Sequence, residues 1–246
     1  MKEYYGWQAK IGTIFPTETV VIEPEFAAMA PEGVSVHSAR VDLVDFTLDG
    51  LSEMMDDARI ETAARMLGQR TPTDVVTFTG TSATFMRGIG YDKAVIQRME
   101  AVMNDVPAST TSTAVLRALK ASDAKNISFV GPYNEQVTQL GAEFFRSHGF
   151  AVAGAHGMGL TDNLALNDVT LEQVYDYTKS VVDPGVDTLF ISCTGLRTIG
   201  VIGDLESELG IPVVTSNQAT FWDALRIAGV DTARPGFGSL FDYLAE

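Results

Sequence analysis

A single cysteine, Cys193, stands at the end of Leu189-Phe190-Ile191-Ser192-Cys193-Thr194-Gly195-Leu196. A short apolar run closed by Ser, Thr and Gly reads as a buried strand entering a tight loop. A helix is expected to follow over residues 198–209. A strand-to-helix loop of this kind aims backbone N–H groups at whatever lies above it, and so favours an anion. A thiol beside that anion could move a proton or attack as a nucleophile. The competing structural reading is a packing cysteine, since free Cys is among the most buried residue types.

A second loop of the same kind is Thr79-Gly80-Thr81-Ser82, at the end of the apolar run 74–78. The two loops belong to a wider internal repeat. Ile11-Gly12-Thr13-Ile14-Phe15-Pro16 resembles Ile127-Ser128-Phe129-Val130-Gly131-Pro132. Val106-Pro107 followed by Thr111-Ser112-Thr113-Ala114 resembles Ile211-Pro212 followed by Ser216-Asn217-Gln218-Ala219. Three matches in one order indicate two related α/β halves. Ligands in open parallel sheets bind beyond the carboxyl ends of the strands, so a pseudo-twofold would bring Gly80 and Cys193 to one cleft. Tyr133 falls just after a strand, where Thr17 falls in the first half. Hydroxyls of Thr81, Ser82 and Tyr133, with nearby backbone N–H groups, could surround a carboxylate and stabilise it as an enediolate. Each donor of such a hole typically contributes about 3–4 kcal/mol. The same Thr and Ser residues could equally serve as helix caps.

These loops need a scaffold, and the hydrophobic periodicity supplies one. Strands are expected over residues 10–15, 33–44, 74–78, 106–110, 126–130, 150–156 and 187–192, with a last one from Val213. Helices are expected over 51–67, 91–103, 113–119, 135–148 and 170–182, and through Phe221, Trp222, Leu225 and Ile227. Alternating strands and helices give an α/β fold with parallel sheets. The expected organisation is a first lobe over residues 1–120 and a second over 121–225, with 226–246 packing back on the first.

Composition narrows the function. The apolar fraction is 46% and the charged fraction 20%, enough to build a core without staples. A net charge of −15 argues against nucleic acid and anionic membranes as partners. No apolar run has the length of a membrane span, and one cysteine forms no internal disulfide. A cytoplasmic enzyme or binding protein is the simplest expectation, and a homo-oligomer is compatible with it. His37, His148 and His156 are too scattered to hold a metal, so no metal site is expected. Gly154, Gly157 and Gly159 lack the spacing of a phosphate loop.

Several stretches together resemble the aspartate/glutamate racemase superfamily, and within it the arylmalonate decarboxylases and maleate cis–trans isomerases. These are Gly80-Thr81-Ser82 with Phe85 and Arg87-Gly88, Thr111 to Leu116, Tyr133, Ser192-Cys193, Gly210-Ile211-Pro212-Val213-Val214, Phe221-Trp222-Asp223-Ala224 and Ala233 to Gly238. The resemblance implies a racemase-like fold of two pseudo-symmetric lobes with the active site between them. Racemases and isomerases of this group use two cysteines, and here the first position is Gly80. A glycine there with a lone cysteine resembles the decarboxylases. By that similarity Thr81, Ser82, Tyr133 and the Thr194 backbone would hold one carboxylate of a malonate. Carbon dioxide would leave from an apolar pocket, and Cys193 would protonate the enediolate, with no cofactor. Two features resemble the isomerases instead. By similarity to an asparagine that holds the second carboxylate in maleate isomerases, Asn163 could hold one here, and the stretch Pro16-Thr17-Glu18-Thr19 would bring Thr17 and Thr19 to the substrate. The leading expectation is a cofactor-independent decarboxylase of a small 2-substituted malonate. The alternatives are a maleate-type isomerase or other single-cysteine enzyme on a small dicarboxylate, and a dicarboxylate-binding protein without chemistry.

Overall fold

A computed structural model describes residues 3–43 and 47–242. Val44, expected to close a strand, and residues 243–246, expected to close the final segment, lie outside the described residues. Among the described residues, eight strands form two sheets of four. β1 (Ala9–Pro16), β2 (Val34–Val41), β3 (Val75–Phe78) and β4 (Ala108–Thr110) pair in the order β2-β1-β3-β4. β5 (Asn126–Gly131), β6 (Ala151–Gly157), β7 (Thr188–Ile191) and β8 (Val213–Thr215) pair in the order β6-β5-β7-β8. Every pairing is parallel. The second sheet repeats the first, strand for strand, which is the α/β two-lobed architecture that the internal repeat implies. Parallel strands are covered on both faces and so read as continuous apolar runs. Val75-Val76-Thr77-Phe78 and Thr188-Leu189-Phe190-Ile191 are buried throughout.

The helices are α1 (Ile22–Met29), α2 (Leu48–Asp56), α3 (Arg59–Arg65), α4 (Thr81–Phe85), α5 (Tyr91–Glu100), α6 (Thr111–Ala121), α7 (Glu135–Ser147), α8 (Asn163–Asp168), α9 (Leu171–Val181), α10 (Ile202–Leu209) and α11 (Ser216–Ile227). A single helix over 51–67 is not formed. α2 ends at Asp57, whose backbone is extended, and Arg98 of α5 donates to the Met55 carbonyl at 2.7 Å and pairs with Glu61 of α3. That guanidinium satisfies a carbonyl left over at a helix end. The helix expected from residue 198 starts at Ile202. α1, α4 and α8 are short and were not expected. α1 carries Pro24 in its first turn, where a missing N–H costs nothing.

α6 and α11 lock the halves together. Each starts directly after the last strand of its sheet and is capped by the preceding threonine: Thr110 accepts from the Thr113 N–H, and Thr215 from the Gln218 N–H. The two helices pack on each other, and α11 also reaches the first sheet. Phe221 stacks on Phe26 with ring centroids 4.9 Å apart. Asp223, fully buried, accepts from the Ser109 hydroxyl at 2.7 Å and from Arg117 at 2.8 Å. Phe85 of α4 meets Tyr133 edge-on at 6.0 Å and Phe129 at 6.4 Å, joining the two cores beneath the cleft. The tail differs from expectation. Residues 237–241 seat on the second half: Gln218 donates to the Phe237 carbonyl, and Ser239 donates through its N–H and hydroxyl to Glu206 of α10. Glu206 of α10, which also accepts from the Val213 N–H at 3.0 Å, gives the tail this carboxylate.

Candidate active site

β7 delivers Cys193 to the carboxyl end of the second sheet, and β3 delivers Gly80 to that of the first. Cys193 has φ of +100°, a left-handed conformation that non-glycine residues rarely adopt. The bend is held from the side. Its N–H donates to Ser216 Oγ at 3.0 Å, and the Thr81 hydroxyl donates to the same oxygen at 2.9 Å. Tyr133 Oη lies 3.0 Å from Ser192 Oγ. The Thr194 hydroxyl reaches the Thr79 carbonyl at 3.4 Å. Loops from the two sheets are therefore stitched to each other around one cavity.

Gly80, Thr81, Ser82, Tyr133, Cys193 and Thr194 line this cavity, together with Thr19 and Gly195. Pro16, Leu43, Leu51, Ala83 and Leu166 give it an apolar wall, and Glu18 and Asn167 add a polar edge. A Cβ built on Gly195 would lie 3.6 Å from Leu166, 3.8 Å from Cys193 Sγ and 3.8 Å from Thr19 Oγ1, so the sulfur, the apolar wall and the Thr19 hydroxyl border one small space. Gly80 has extended backbone that any residue adopts, and its Cβ would meet the Phe78 ring at 3.0 Å. The glycine is thus not required by the turn.

Burial pushes the Cys193 thiol up to about 11, against the opposing pull of the Gly195 and Leu196 N–H groups and the Tyr133 hydroxyl. Burial likewise raises the Tyr133 phenol well above its ordinary value. Both groups hold their protons at neutral pH. The donors around the sulfur match a thiolate, so they would stabilise the conjugate base once a proton has left. The arrangement is that of a neutral acid whose spent form is already solvated by the protein.

Glu25 of α1 anchors the loop from below. Buried at 6% exposure, it accepts from the Thr198 N–H at 2.6 Å, the Ile199 N–H at 3.2 Å and Asn217 Nδ2 at 2.7 Å, and burial raises its pKa. Asn217 Nδ2 also donates to the Thr194 carbonyl at 3.1 Å. The sequence does carry a signal for this residue. Ile22, Glu25, Phe26 and Met29 fall on one helical stripe, so an acid stands at a core position.

One expected residue, Thr17, is not among those that line the cavity. Thr17 is exposed; its hydroxyl donates to Glu18 Oε1 at 3.1 Å and its N–H to the Val41 carbonyl. The chain turns away from the sheet after Pro16, so Thr17 does not take the place that Tyr133 takes in the second half. Asn163 is the first residue of α8, and its side chain lies outside the described residues. Asn167, one turn on, lines the cavity. Glu18 and Asn167 were not anticipated, although Glu18 stands between the two threonines that were.

A family model described as arylmalonate decarboxylase matches residues 11–241. The chain is 31% identical over 235 residues to the arylmalonate decarboxylase of Bordetella bronchiseptica, covering 94% of this chain and 96% of that protein. It is 27% identical over 243 residues to a maleate isomerase of Pseudomonas putida, covering 94% and 96%. Its fold is similar to the crystal structure of a Pseudomonas putida maleate isomerase variant with maleate, with a TM-score of 0.90, 25% identity and coverage of 96% of this chain and 98% of that one.

Proposed function

The chain belongs to the arylmalonate decarboxylase family, and on that premise we propose that it is a cofactor-independent decarboxylase of a small 2-substituted malonate. The observation that carries this reading is a lone buried thiol, held protonated to about 11, facing a glycine on the opposite loop.

In this reading one carboxylate accepts from the Ser82 and Tyr133 hydroxyls, from the Thr194 N–H and from the Thr81 hydroxyl, which turns to it from Ser216 Oγ. The second rests against Leu43, Leu51 and Leu166. An unsolvated charge on that wall is unfavourable, and loss of carbon dioxide removes it. The bond from the α-carbon to the second carboxylate breaks, and its electron pair moves into the retained carboxylate, forming an enediolate. The preorganised donors stabilise the charge as it develops. The Cys193 thiol then gives its proton to the α-carbon. The thiolate left behind is received by the Gly195 and Leu196 N–H groups, and regains a proton from solvent.

A maleate-type isomerisation is the second reading, favoured by the polar edge at Thr19 and Asn167. A nucleophilic cysteine must be a thiolate. The raised pKa of Cys193 and the glycine at residue 80 weigh against it. Incubation with alkyl- and arylmalonates decides between them. Carbon dioxide release that is lost in Cys193→Ala is expected. Fumarate formed from maleate, with malonates untouched, would replace the decarboxylase by the isomerase. Dicarboxylate binding with no turnover in either protein would leave only a binding function.

A further inference from the structure

The polar edge of the cavity has no part in that chemistry, and its unmet hydrogen bonds say what it is for. Glu18 Oε1 accepts from the Thr17 hydroxyl, while Glu18 Oε2 is buried without a partner. Asn167 Nδ2 donates to the Glu18 backbone carbonyl at 2.9 Å, while Asn167 Oδ1 is buried without a partner. The Nδ2 bond fixes which way the amide faces, because turning it over would set oxygen against oxygen. Of the nearby cations, Arg40 donates to the Thr17 and Thr19 carbonyls and pairs with Glu23, and Arg197 donates to the Asn167 backbone carbonyl at 2.6 Å, so both unpartnered oxygens stay unpaired. Two acceptors, one of them on a carboxylate, are thus left without a partner on residues that line a cavity whose other wall is apolar. Buried polar atoms are ordinarily paired, and an unpaired one is costly.

We infer that Glu18 and Asn167 select a substrate whose α-carbon bears an amino group. This rests on the decarboxylase reading of the site. Two open acceptors call for a group with at least two donors. An ammonium has three and a hydroxyl one. Its positive charge also answers the Glu18 carboxylate, which would repel a second carboxylate placed at that edge. The retained carboxylate stays with the hydroxyls, the departing one takes the leucine wall, and the substituent takes the Glu18 edge. A dicarboxylate such as maleate, with nothing to donate, would leave both of these acceptors unpaired.

Aminomalonate and methylmalonate, which differ by an ammonium in place of a methyl group, test this in the full-length protein, with rates corrected for uncatalysed loss of carbon dioxide. Wild type is expected to prefer aminomalonate in kcat/KM by tenfold or more. Glu18→Leu and Asn167→Leu should shrink or reverse that preference, while Glu18→Gln, which keeps an acceptor, retains part of it. Calorimetric titration of Cys193→Ala with both compounds reads the binding preference without turnover. Decarboxylation of both at equal rates would overturn this inference and leave the decarboxylase intact. Tighter binding of aminomalonate with no carbon dioxide from either compound would do the reverse. A preference unchanged in both leucine variants, each still folded by its melting curve, would remove Glu18 and Asn167 from the role.

Discussion

The backbone N–H of Cys193 donates to Ser216 Oγ at 3.0 Å, so the residue at the tip of β7 is held by the first turn of α11. The same oxygen accepts from Thr81. Ser216 therefore holds Cys193 and Thr81 together, from opposite loops. Ser216→Ala leaves the Cys193 N–H and the Thr81 hydroxyl unpaired, which is expected to cost about 2 kcal/mol of stability. A loss of tenfold or more in kcat with a smaller change in KM is expected for misaligned groups. Urea unfolding and steady-state carbon dioxide release measure the two effects. An unchanged kcat would remove Ser216 from a positioning role.

The left-handed backbone of Cys193 has its own signature. Glycine occupies that conformation readily and alanine does not. Cys193→Gly is expected to unfold at higher urea than Cys193→Ala, by about 1 kcal/mol. Both should lack turnover. Equal midpoints would show that the bend carries no strain.

The raised thiol predicts slow alkylation. At pH 8 a thiol titrating at about 11 is roughly one part in a thousand thiolate, against about one in ten for an ordinary cysteine near 9.0. Iodoacetamide should label the protein at least about a hundredfold more slowly than a free thiol, with the rate climbing until near pH 11. Intact mass reads this directly, because the chain has one cysteine. The linkage has a definite sign. The folded state keeps its proton to about 11 while the unfolded chain releases it near 9.0, so this contribution is complete below pH 9 and is lost as pH rises towards 11. Rapid labelling at pH 7 would contradict a buried neutral acid.

Gly80→Cys should fold, since its backbone is extended and the Phe78 ring need yield only a few tenths of an ångström. A destabilisation of about 1 kcal/mol is expected from that crowding. A second thiol on the facing loop gives the enediolate a proton from either side. The product of a 2-methyl-2-substituted malonate should lose handedness on chiral chromatography. A product as pure in one hand as before would mean that the two loops do not address opposite faces.

Six of the residues that were readable in the sequence share one property. Gly80, Thr81, Ser82, Tyr133, Cys193 and Thr194 all follow directly on strand ends, where an apolar run stops at small polar residues. Local pattern and topology agree there. Glu18 and Asn167 sit where neither signal operates. After Pro16 the chain leaves the sheet, so alternation no longer says which side chain turns inward. α8 has six residues, too few to display a helical period. The division of 51–67 was hidden for another reason: it depends on Arg98, distant in sequence, arriving at the Met55 carbonyl. The tail on α10 depends in the same way on Glu206 meeting Ser239.

Because α11 grips the first sheet while its own strand belongs to the second, neither wall of the cleft is a separable piece. A chain cut between the repeats would leave Phe26 without Phe221 and Ser109 without Asp223. Both loops and both covering helices come from one polypeptide, so the cavity assembles at an internal concentration that dilution does not lower.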